Sequence, residues 1–238
     1  MERIDQRAYD ALRPVKLTPG FAEFAEGSVL IECGHTKVLC CASVEERTPP
    51  HVAAGEGWVT AEYSMLPRAN RERSRRDIAK LKLSPRSAEI QRLIGRALRA
   101  CVDMKKLGER TITIDCDVLQ GDGGTRTASV TGGFVALSLA LHKLVMDGVL
   151  PEMPLTNCVA AVSAGIVGDE PMLDLCYEED SHAQVDLNCV MTGAGELVEL
   201  QGTGEGRPFT IVEQRALVEL CAKGIRELQN IQRQVLGG

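Results

Sequence analysis

One segment of the chain changes from strand periodicity to helix periodicity across a single glycine-rich turn. Residues 111–120, TITIDCDVLQ, alternate apolar and polar side chains, which is the period-two pattern of a half-buried strand. The turn GDGGTRT follows at 121–127, and the apolar segment TASVTGGFVALSLALHKLV that continues from it has helical length and spacing. The chain must therefore fold with a strand that leads directly into a buried helix.

Strand patterns also lie before and after this unit. Between Phe21 and Met65, the segments FAEFAEGSVLIECG, TKVLCCASVEE and GWVTAEYSM predict strands in an antiparallel meander. Further strands are predicted near residues 158–167, 172–177, 184–192 and 196–203, and a long closing helix follows them. Each half therefore has strands followed by a helix. This order predicts an α+β fold in which residues 1–238 form one domain with pseudo-repeated halves, roughly 1–150 and 151–238.

A second helix is predicted to begin at Pro85. Ser84 is a favoured N-cap residue, and proline is tolerated at the first helical position. Apolar residues then recur at helical spacing from Ile90 to Cys101. Arg86 would lie in the first turn, where a cation opposes the helix dipole, so an anion bound beside it would relieve the conflict.

Basic residues are concentrated in one part of an acidic chain. The formal net charge is −6, yet residues 68–99, the basic block, contain eleven Lys and Arg against three Asp and Glu. Nine of the eleven are Arg, which binds phosphate bidentately, so the block predicts a polyanionic partner. A solvated, self-repelling loop is the alternative. No aromatic residue occurs between Ser64 and Gly133, so this segment should hold a nucleic-acid backbone and read little base sequence.

The turn at 121–127 is a candidate anion site. The amides of residues 123–126 can converge on an anion at the positive end of the following helix, and Arg126 adds a cation. The turn lacks the Gly-Lys-Ser/Thr of a P-loop and the glycine spacing of a dinucleotide site. A plain glycine turn before a helix is the alternative. Arg86 and Arg126 could share one anion if the two helix starts are neighbours in space.

Carboxylates form a second candidate site. The acidic run at 178–180 is followed by Asp186, which lies inside an apolar alternating strand where a carboxylate needs a partner or an ion. Hard oxygen ligands with no nearby His or Cys pair suit Mg²⁺. The alternative is a solvated acidic turn with a strand residue on the wet face. Asp115 and Asp117 are weaker candidates of the same kind.

Several other classes of protein find no support in the sequence. The nine cysteines are scattered and include no Cys-x-x-Cys, which predicts buried thiols in a reducing cytoplasm. Neither a secretory segment nor a run of about 18 apolar residues is present, so no membrane partner is expected. The four histidines lack metal-ligand spacing, and there is no Gly-x-Ser-x-Gly nucleophile elbow.

Six motifs together resemble the bacterial ribonuclease PH family over nearly the whole chain. They are LRPV, GSVLIECGHTKVLCCASVE, GWVTAEYSMLPR, EIQRLIGRALRA, TITIDCDVLQGDGGTRTASVTG and EDSHAQVDLNCVMTG. The resemblance implies a ribosomal protein S5 domain 2-like fold in a cytoplasmic homohexamer, a trimer of dimers. It implies a phosphate-dependent 3′→5′ exoribonuclease, a tRNA nucleotidyltransferase that trims precursor tRNA and releases nucleoside diphosphates. Other RNA 3′ ends, including those of rRNA, are expected as substrates, whereas DNA is not.

The same resemblance implies roles for individual residues. Inorganic phosphate, the co-substrate, would be bound by Arg86, Gly124, Thr125 and Arg126. Asp180 and Asp186 would be the catalytic pair and would hold Mg²⁺. RNA would be bound by Arg68, Arg73, Arg76, Arg92 and Arg96. The stretch KLKLSP before Arg86 departs from the glycine-containing KGKxSG of the family, so Pro85 stiffens the chain beside a phosphate ligand.

Two other classes of function stay open at this point. Exosome ring subunits and polynucleotide phosphorylase are similar to this family, and a ring subunit can bind RNA without catalysis. A hydrolytic metal-dependent nuclease is the second alternative. The presence of both arginines and both aspartates argues against the first, and a dedicated phosphate site argues against the second.

Overall fold

Residues 3–76 and 82–237, which the computed structural model describes, form two β-sheets covered by helices. The strands are β1 (Val15–Pro19), β2 (Gly27–Cys33), β3 (Thr36–Glu45), β4 (Trp58–Met65), β5 (Thr111–Gln120), β6 (Val159–Val167), β7 (Glu170–Leu173), β8 (Val185–Thr192) and β9 (Leu197–Thr203). The helices are α1 (Pro85–Arg99), α2 (Met104–Leu107), α3 (Thr125–Met146), α4 (Tyr177–Asp180) and α5 (Ile211–Leu236). The predicted α+β class is confirmed.

The first sheet has the strand order β1-β2-β3-β5-β4. The meander prediction is right for β1, β2 and β3, which pair antiparallel in sequence order. It is wrong for β4, because β5 lies between β3 and β4 and runs parallel to β4. Parallel neighbours need a long crossover connection, and the chain between Met65 and Thr111 supplies one that contains α1. The basic block is therefore part of that crossover.

The second sheet has the order β7-β6-β8-β9 and is antiparallel throughout. The strand predicted over 172–177 is shorter in the structure, since β7 ends at Leu173 and Tyr177 begins α4. Asp174 has a φ of 53°, a left-handed conformation that interrupts an extended strand. This turn places α4 beside the glycine-rich turn that precedes α3.

Helix α1 begins where the sequence predicts. The Ser84 hydroxyl accepts a hydrogen bond from the backbone N–H of Ser87 at 3.0 Å, and Pro85 is the first helical residue. The stripe from Ile90 to Cys101 is buried against β4, confirming the predicted apolar face. The first turn of α1 is thereby held at the rim of the first sheet.

Helix α3 packs against both sheets and is buried on nearly every side. Its length and apolar composition match those of a membrane-spanning helix, but most of that stretch is enclosed in the protein core. Close packing depends on Gly27 of β2, where an added Cβ would lie 2.2 Å from the Ala136 carbonyl oxygen. Helix α5 covers the second sheet. Each half thus consists of a sheet and its covering helices. That residues 1–238 form a single domain stays a prediction.

The cysteines are free thiols in this fold. Six are buried, and Cys41, Cys158 and Cys176 are half-buried, as the predicted use of cysteine as a small apolar residue requires.

Candidate active site

Charges from the first turns of α1 and α3 act on one carboxylate of the short helix α4. Arg86 lies in the first turn of α1, and Arg126 lies in the first turn of α3. Burial raises the pKa of Asp180 above its usual value, and the charges of both Arg86 and Arg126 oppose that rise. The structure therefore brings the two helix starts and one candidate carboxylate together, as the shared-anion hypothesis requires.

The glycine-rich turn before α3 has a backbone that only glycine adopts readily. Gly123 and Gly124 have φ values of 74° and 64°, both left-handed. An added Cβ at Gly123 would lie 2.6 Å from the Leu175 carbonyl oxygen, so the turn packs directly on the start of the α4 segment. Gly124 is the N-cap of α3 and has no side-chain oxygen to accept bonds from the first amides. The first N–H groups of a helix have no intrahelical acceptor, so those of α3 are available to an anion.

Thr125 takes part through its backbone. Its hydroxyl lies 2.8 Å from the phenol oxygen of Tyr63, and both side chains are buried. Burial raises the pKa of Tyr63, although the bond to Thr125 opposes the rise. The hydroxyl of Thr125 is therefore engaged by β4, and its amide is the group available to an anion.

Arg126 is held in place by two residues from other elements. Its Nη1 donates to Glu89 Oε1 at 3.1 Å and to Gln201 Oε1, and the side chain is 17% exposed. Glu89 belongs to α1 and Gln201 to β9, so Arg126 joins both halves of the fold. Arg86 differs: it is exposed, and within residues 3–76 and 82–237 its guanidinium makes no ion pair. An incoming anion would give Arg86 a partner.

The predicted carboxylate pair is assembled at this place. Burial, and after it the charge of Asp180, raise the pKa of Asp186 to about 6. The Asn188 amide donates to Asp186 Oδ2 at 3.1 Å, and the charge of Arg126 also favours the ionised form. Glu205, from the loop after β9, raises the pKa of both aspartates through its own charge. Asp186 therefore interacts electrostatically with Asp180 and Arg126, whereas Asp180 interacts with both arginines.

A divalent cation suits this donor set. Asp180 and Asp186 repel each other at neutral pH, and a bound cation would remove the repulsion. Mg²⁺ commonly uses one or two carboxylates and completes its octahedron with water and substrate phosphate. No group of three or more Asp, Glu, His or Cys side chains suited to a metal occurs in the described part of the chain. Two carboxylates would hold Mg²⁺ only together with water and substrate phosphate, and its binding stays a prediction.

The basic block divides into regions with different surroundings. Arg68, Arg73 and Arg76 are exposed in the loop after β4, as a backbone-binding surface requires. Ala69 in this loop is buried, and its carbonyl accepts a bond from the Gly121 N–H at 2.9 Å. The loop is thus anchored beside the glycine-rich turn. Lys80, another member of the block, lies outside the described residues.

Arg92 and Arg96 are exposed on the outer side of α1. Arg96 Nη1 forms an ion pair with Glu199 Oε2 of β9. Part of its charge is therefore balanced within the protein. The RNA-binding role of both residues stays a prediction.

The weaker candidates Asp115 and Asp117 do not belong to this site. Their strand, β5, buries the alternate residues under the helices, so both carboxylates lie on the opposite face of the sheet. Burial raises the pKa of both groups, with Glu62 adding to the effect at Asp115 and Arg76 opposing it at Asp117. They form a separate acidic strip.

Several residues of the site were not singled out from the sequence. Glu89 and Gln201 hold Arg126, Asn188 holds Asp186, and Tyr63 holds Thr125. Asn188 carried a usable signal, since residues two apart on a strand lie on the same face. Glu89 carried a weaker one, because it lies one helical turn after Arg86. Gln201 and Tyr63 carried no sequence signal, since they lie on strands that are far along the chain from Arg126 and Thr125.

The shifted pKa of Asp186 predicts a pH-dependent contribution to stability. Its pKa rises from 3.8 to about 6 on folding, so the folded state favours the protonated form. Ionised Asp186 therefore destabilises the fold progressively as pH rises through about 4 to 6, and this effect is absent below the unfolded pKa. Asp186→Asn removes this group, so it should change the free energy of unfolding more favourably at high pH than at low pH. We expect the change at about pH 8 to exceed the change at about pH 4 by up to about 3 kcal/mol. Urea unfolding at both pH values measures this, and equal effects at both would contradict it.

The chain matches known proteins both in sequence and in structure. Residues 11–142 match domain 1 of the 3′ exoribonuclease family, RNase_PH, and residues 157–218 match domain 2. Rice (Oryza sativa) Rrp46 has a similar structure with a TM-score of 0.80 and 17% identity, over 98% of this chain and 100% of that one. An Archaeoglobus fulgidus exosome with RNA bound to its active site has a similar structure with a TM-score of 0.80 and 24% identity, over 96% of this chain and 92% of that one. An archaeal exosome core has a similar structure with a TM-score of 0.78 and 24% identity, over 98% of this chain and 91% of that one. At these sequence identities, the similarity to the three solved structures shows a shared fold.

Proposed function

The chain belongs to the 3′ exoribonuclease family, and on that premise we propose that it shortens RNA from the 3′ end by phosphorolysis. The observation that carries the proposal is the meeting of Arg86, Arg126, Asp180 and Asp186 at two helix starts. In its finer form the protein is a bacterial ribonuclease PH that trims precursor tRNA. Its products are nucleoside diphosphates, and rRNA 3′ ends are further substrates.

Phosphorolysis requires two anions to react in one site. An oxygen of inorganic phosphate attacks the phosphorus of the last diester, the bond from phosphorus to the 3′ oxygen breaks, and that oxygen takes a proton. Arg86, Arg126 and the first amides of α3 would hold the attacking phosphate and offset its repulsion by the diester. Gly124 leaves those amides uncapped, and Thr125 contributes its N–H.

Asp180 and Asp186 would act on the other side of the reacting phosphorus. When bound, Mg²⁺ would be held by these two carboxylates and would stabilise charge on the scissile group and the departing 3′ oxygen. Asp186, with a pKa of about 6, exists in both protonation states near neutral pH. Without the cation it would be suited to hold or donate a proton at the departing oxygen, whereas bound Mg²⁺ would keep it ionised.

The arrangement favours this reaction over the two alternatives. A ring subunit that only binds RNA has no need of a raised aspartate pKa beside two arginines, and perturbed pKa values concentrate at functional sites. A hydrolytic nuclease activates water and has no need of an exposed cation and free amides for a second anion. These features support phosphate as the attacking group.

One assay separates the three classes of function. The protein is incubated with a 3′-extended tRNA and Mg²⁺, with and without inorganic phosphate, and the mononucleotide products are identified by chromatography. Diphosphates that form only with phosphate support the proposal. Monophosphates formed without phosphate would establish hydrolysis, and RNA binding without any product would establish a binder. A DNA strand of the same sequence should stay intact, since the 2′-hydroxyl distinguishes the two nucleic acids.

The proposed assembly is a cytoplasmic homohexamer built as a trimer of dimers. A ring of this kind would surround the RNA with several basic blocks, one from each chain. Light scattering on the purified protein measures the number of chains directly. A stable monomer with full activity on tRNA would contradict this part of the proposal.

Removal of arginines from the loop after β4 should affect folded RNA and spare short RNA. We expect Arg68, Arg73 and Arg76 replaced together by Ala to weaken precursor-tRNA binding and flatten its salt dependence. The log–log salt slope should fall by about 0.7 to 0.9 for each RNA phosphate that the variant no longer neutralises. Phosphorolysis of a short oligonucleotide should continue, because that substrate needs only the pocket near Arg126. Binding and turnover measured at several salt concentrations test both statements.

A variant with the same charge change elsewhere provides the control. Arg215, Arg226 and Arg233 are exposed on α5, and their joint replacement by Ala removes the same charge from another surface. Its salt slope should stay near that of the wild type. Equal defects of the first variant on tRNA and on the oligonucleotide would assign Arg68, Arg73 and Arg76 to the active site or to subunit contacts.

A further inference from the structure

Two arginines of the N-terminal segment bind a buried carboxylate of α4. Arg3 donates from Nε and Nη2 to the two carboxylate oxygens of Glu179 at 2.8 and 2.7 Å, and Arg7 Nη2 donates to the same group at 3.4 Å. The side chains of Arg3 and Glu179 are 0% and 4% exposed. Burial acts to raise the pKa of Glu179, but the bonds from Arg3 and Cys176 lower it overall, so the pair is ionic.

The structure of α4 depends on contacts from outside the helix. It has four residues, Tyr177–Asp180, and so short a helix is unstable by itself because helix nucleation is unfavourable. Glu179 also accepts the Cys176 N–H at 3.1 Å, which closes the helix start. The next residue is Asp180. A shift of the Glu179 carboxylate would therefore carry the Asp180 carboxylate with it.

A third arginine secures the beginning of the same segment. Arg13 Nε and Nη2 donate to the two oxygens of Asp174 at 3.1 and 2.7 Å, and Arg13 Nη1 donates to the Asp122 carbonyl at 2.5 Å. Asp122 belongs to the glycine-rich turn. Residues 174–180 and that turn are thus linked to one N-terminal segment, which has no regular secondary structure between residue 3 and β1.

Buried ion pairs contribute little net stability compared with apolar packing of the same volume. What the Arg3–Glu179 pair does contribute is a fixed position, since a bidentate guanidinium holds a carboxylate at two points. We propose that Arg3 and Glu179 are positioning residues that hold Asp180 in its place opposite Arg86 and Arg126. The assignment of a reaction to Asp180 rests on the proposed function, whereas the placement of α4 by Arg3 does not.

The test compares two substitutions of Arg3 with a matched control on the same segment. Arg3→Met removes the ion pair and keeps an apolar chain in the buried space, whereas Arg3→Lys keeps the charge but cannot hold both carboxylate oxygens in one plane. The control is Asp10→Asn, which breaks an ion pair between the segment and Lys223 of α5 at 2.5 Å, away from α4. Diphosphate release is measured with RNA and phosphate varied, and hydrogen–deuterium exchange is followed in peptides that cover residues 174–184.

We expect Arg3→Met to lower kcat by a factor on the order of 10 to 100, as small displacements of a catalytic group do. The KM for phosphate should change little, because Arg86 and Arg126 are untouched. The kcat of Arg3→Lys should lie between those of the wild type and Arg3→Met. Amides of residues 174–184 should exchange faster in both variants, with the larger change in Arg3→Met, and Asp10→Asn should match the wild type in every measurement.

Each contrary result has a distinct meaning. Unchanged kcat in folded Arg3→Met, or an equal loss in Asp10→Asn, would overturn the positioning role. A loss of kcat that only follows the unfolded fraction, measured by thermal unfolding, would overturn it as well. If the wild type releases no diphosphate, the proposed function fails, and the exchange of residues 174–184 alone decides whether Arg3 places α4.

Discussion

Replacement of Asp186 by Asn is expected to lower phosphorolytic turnover by a factor on the order of 100 to 10,000. The substitution keeps the shape of the side chain and removes the negative charge and the titrating proton. Asp186 has a raised pKa because it is buried beside Asp180, and Asn in that place has neither cation affinity nor acid–base capacity. Turnover at saturating RNA, phosphate and Mg²⁺ measures the loss, and chromatographic size shows whether the assembly persists.

Asp117→Asn is the matched control for this prediction. Asp117 is also a strand aspartate whose pKa burial raises, but it lies on the opposite face of the first sheet. Its replacement should leave turnover near that of the wild type. If Asp186→Asn retains turnover, or if it falls apart into small species while Asp117→Asn stays assembled, Asp186 is structural and the metal assignment fails.

Replacement of Arg126 by Ala is expected to lower kcat/KM for phosphate by a factor on the order of 100 to 1,000, the effect of removing one charged donor from a preorganised anion site. Precursor-tRNA affinity should stay near normal, because Arg126 lies in the first turn of α3 and is only 17% exposed. Arg126→Lys should recover part of the activity, since it restores charge without the planar fork.

Arg110→Ala controls for the loss of a partly exposed, ion-paired arginine. Arg110 Nε contacts Glu46 Oε1 at 3.0 Å just before β5, and it takes no part in the proposed site. Phosphate dependence in this variant should equal that of the wild type. If Arg126→Ala lowered tRNA affinity by as large a factor as it lowered kcat/KM for phosphate, Arg126 would be assigned to the RNA-binding surface.

Local signals in the sequence predicted most of the secondary structure. The start of α1 follows from Ser84 and Pro85, because capping and the fixed φ of proline act within one turn of the chain. The boundary between β5 and α3 follows from the change of period at the glycine-rich turn. Such features depend on a few adjacent residues, so a single sequence contains them.

Strand partners could not be predicted in the same way. The alternation in GWVTAEYSM shows which side chains of β4 are buried, but the same alternation results whether the neighbour is β3 or β5. The pairing with β5 depends on the crossover through α1, which is a property of the whole chain. Asp174 likewise ends β7 through a left-handed turn that Arg13 secures from the N-terminal segment.

The candidate site shows the same division between chemistry and geometry. Residue types and positions near helix starts indicated Arg86, Arg126, Asp180 and Asp186, and the structure brings them together. Their supporting partners come from far along the chain, since Arg126 contacts Gln201 across 75 positions and Arg3 contacts Glu179 across 176. Periodicity within one element carries no information at that range.

The place of β4 in the first sheet also has a consequence for synthesis from the N-terminus. In that sheet β4 hydrogen-bonds to β5 alone, and β3 presents its second edge to β5 as well. In a nascent chain that has emerged only as far as Arg99, β3 and β4 therefore lack the strand that joins them. The sheet closes when residues 111–120 arrive, so β5 is the last strand of the first half to be made and the one that completes it.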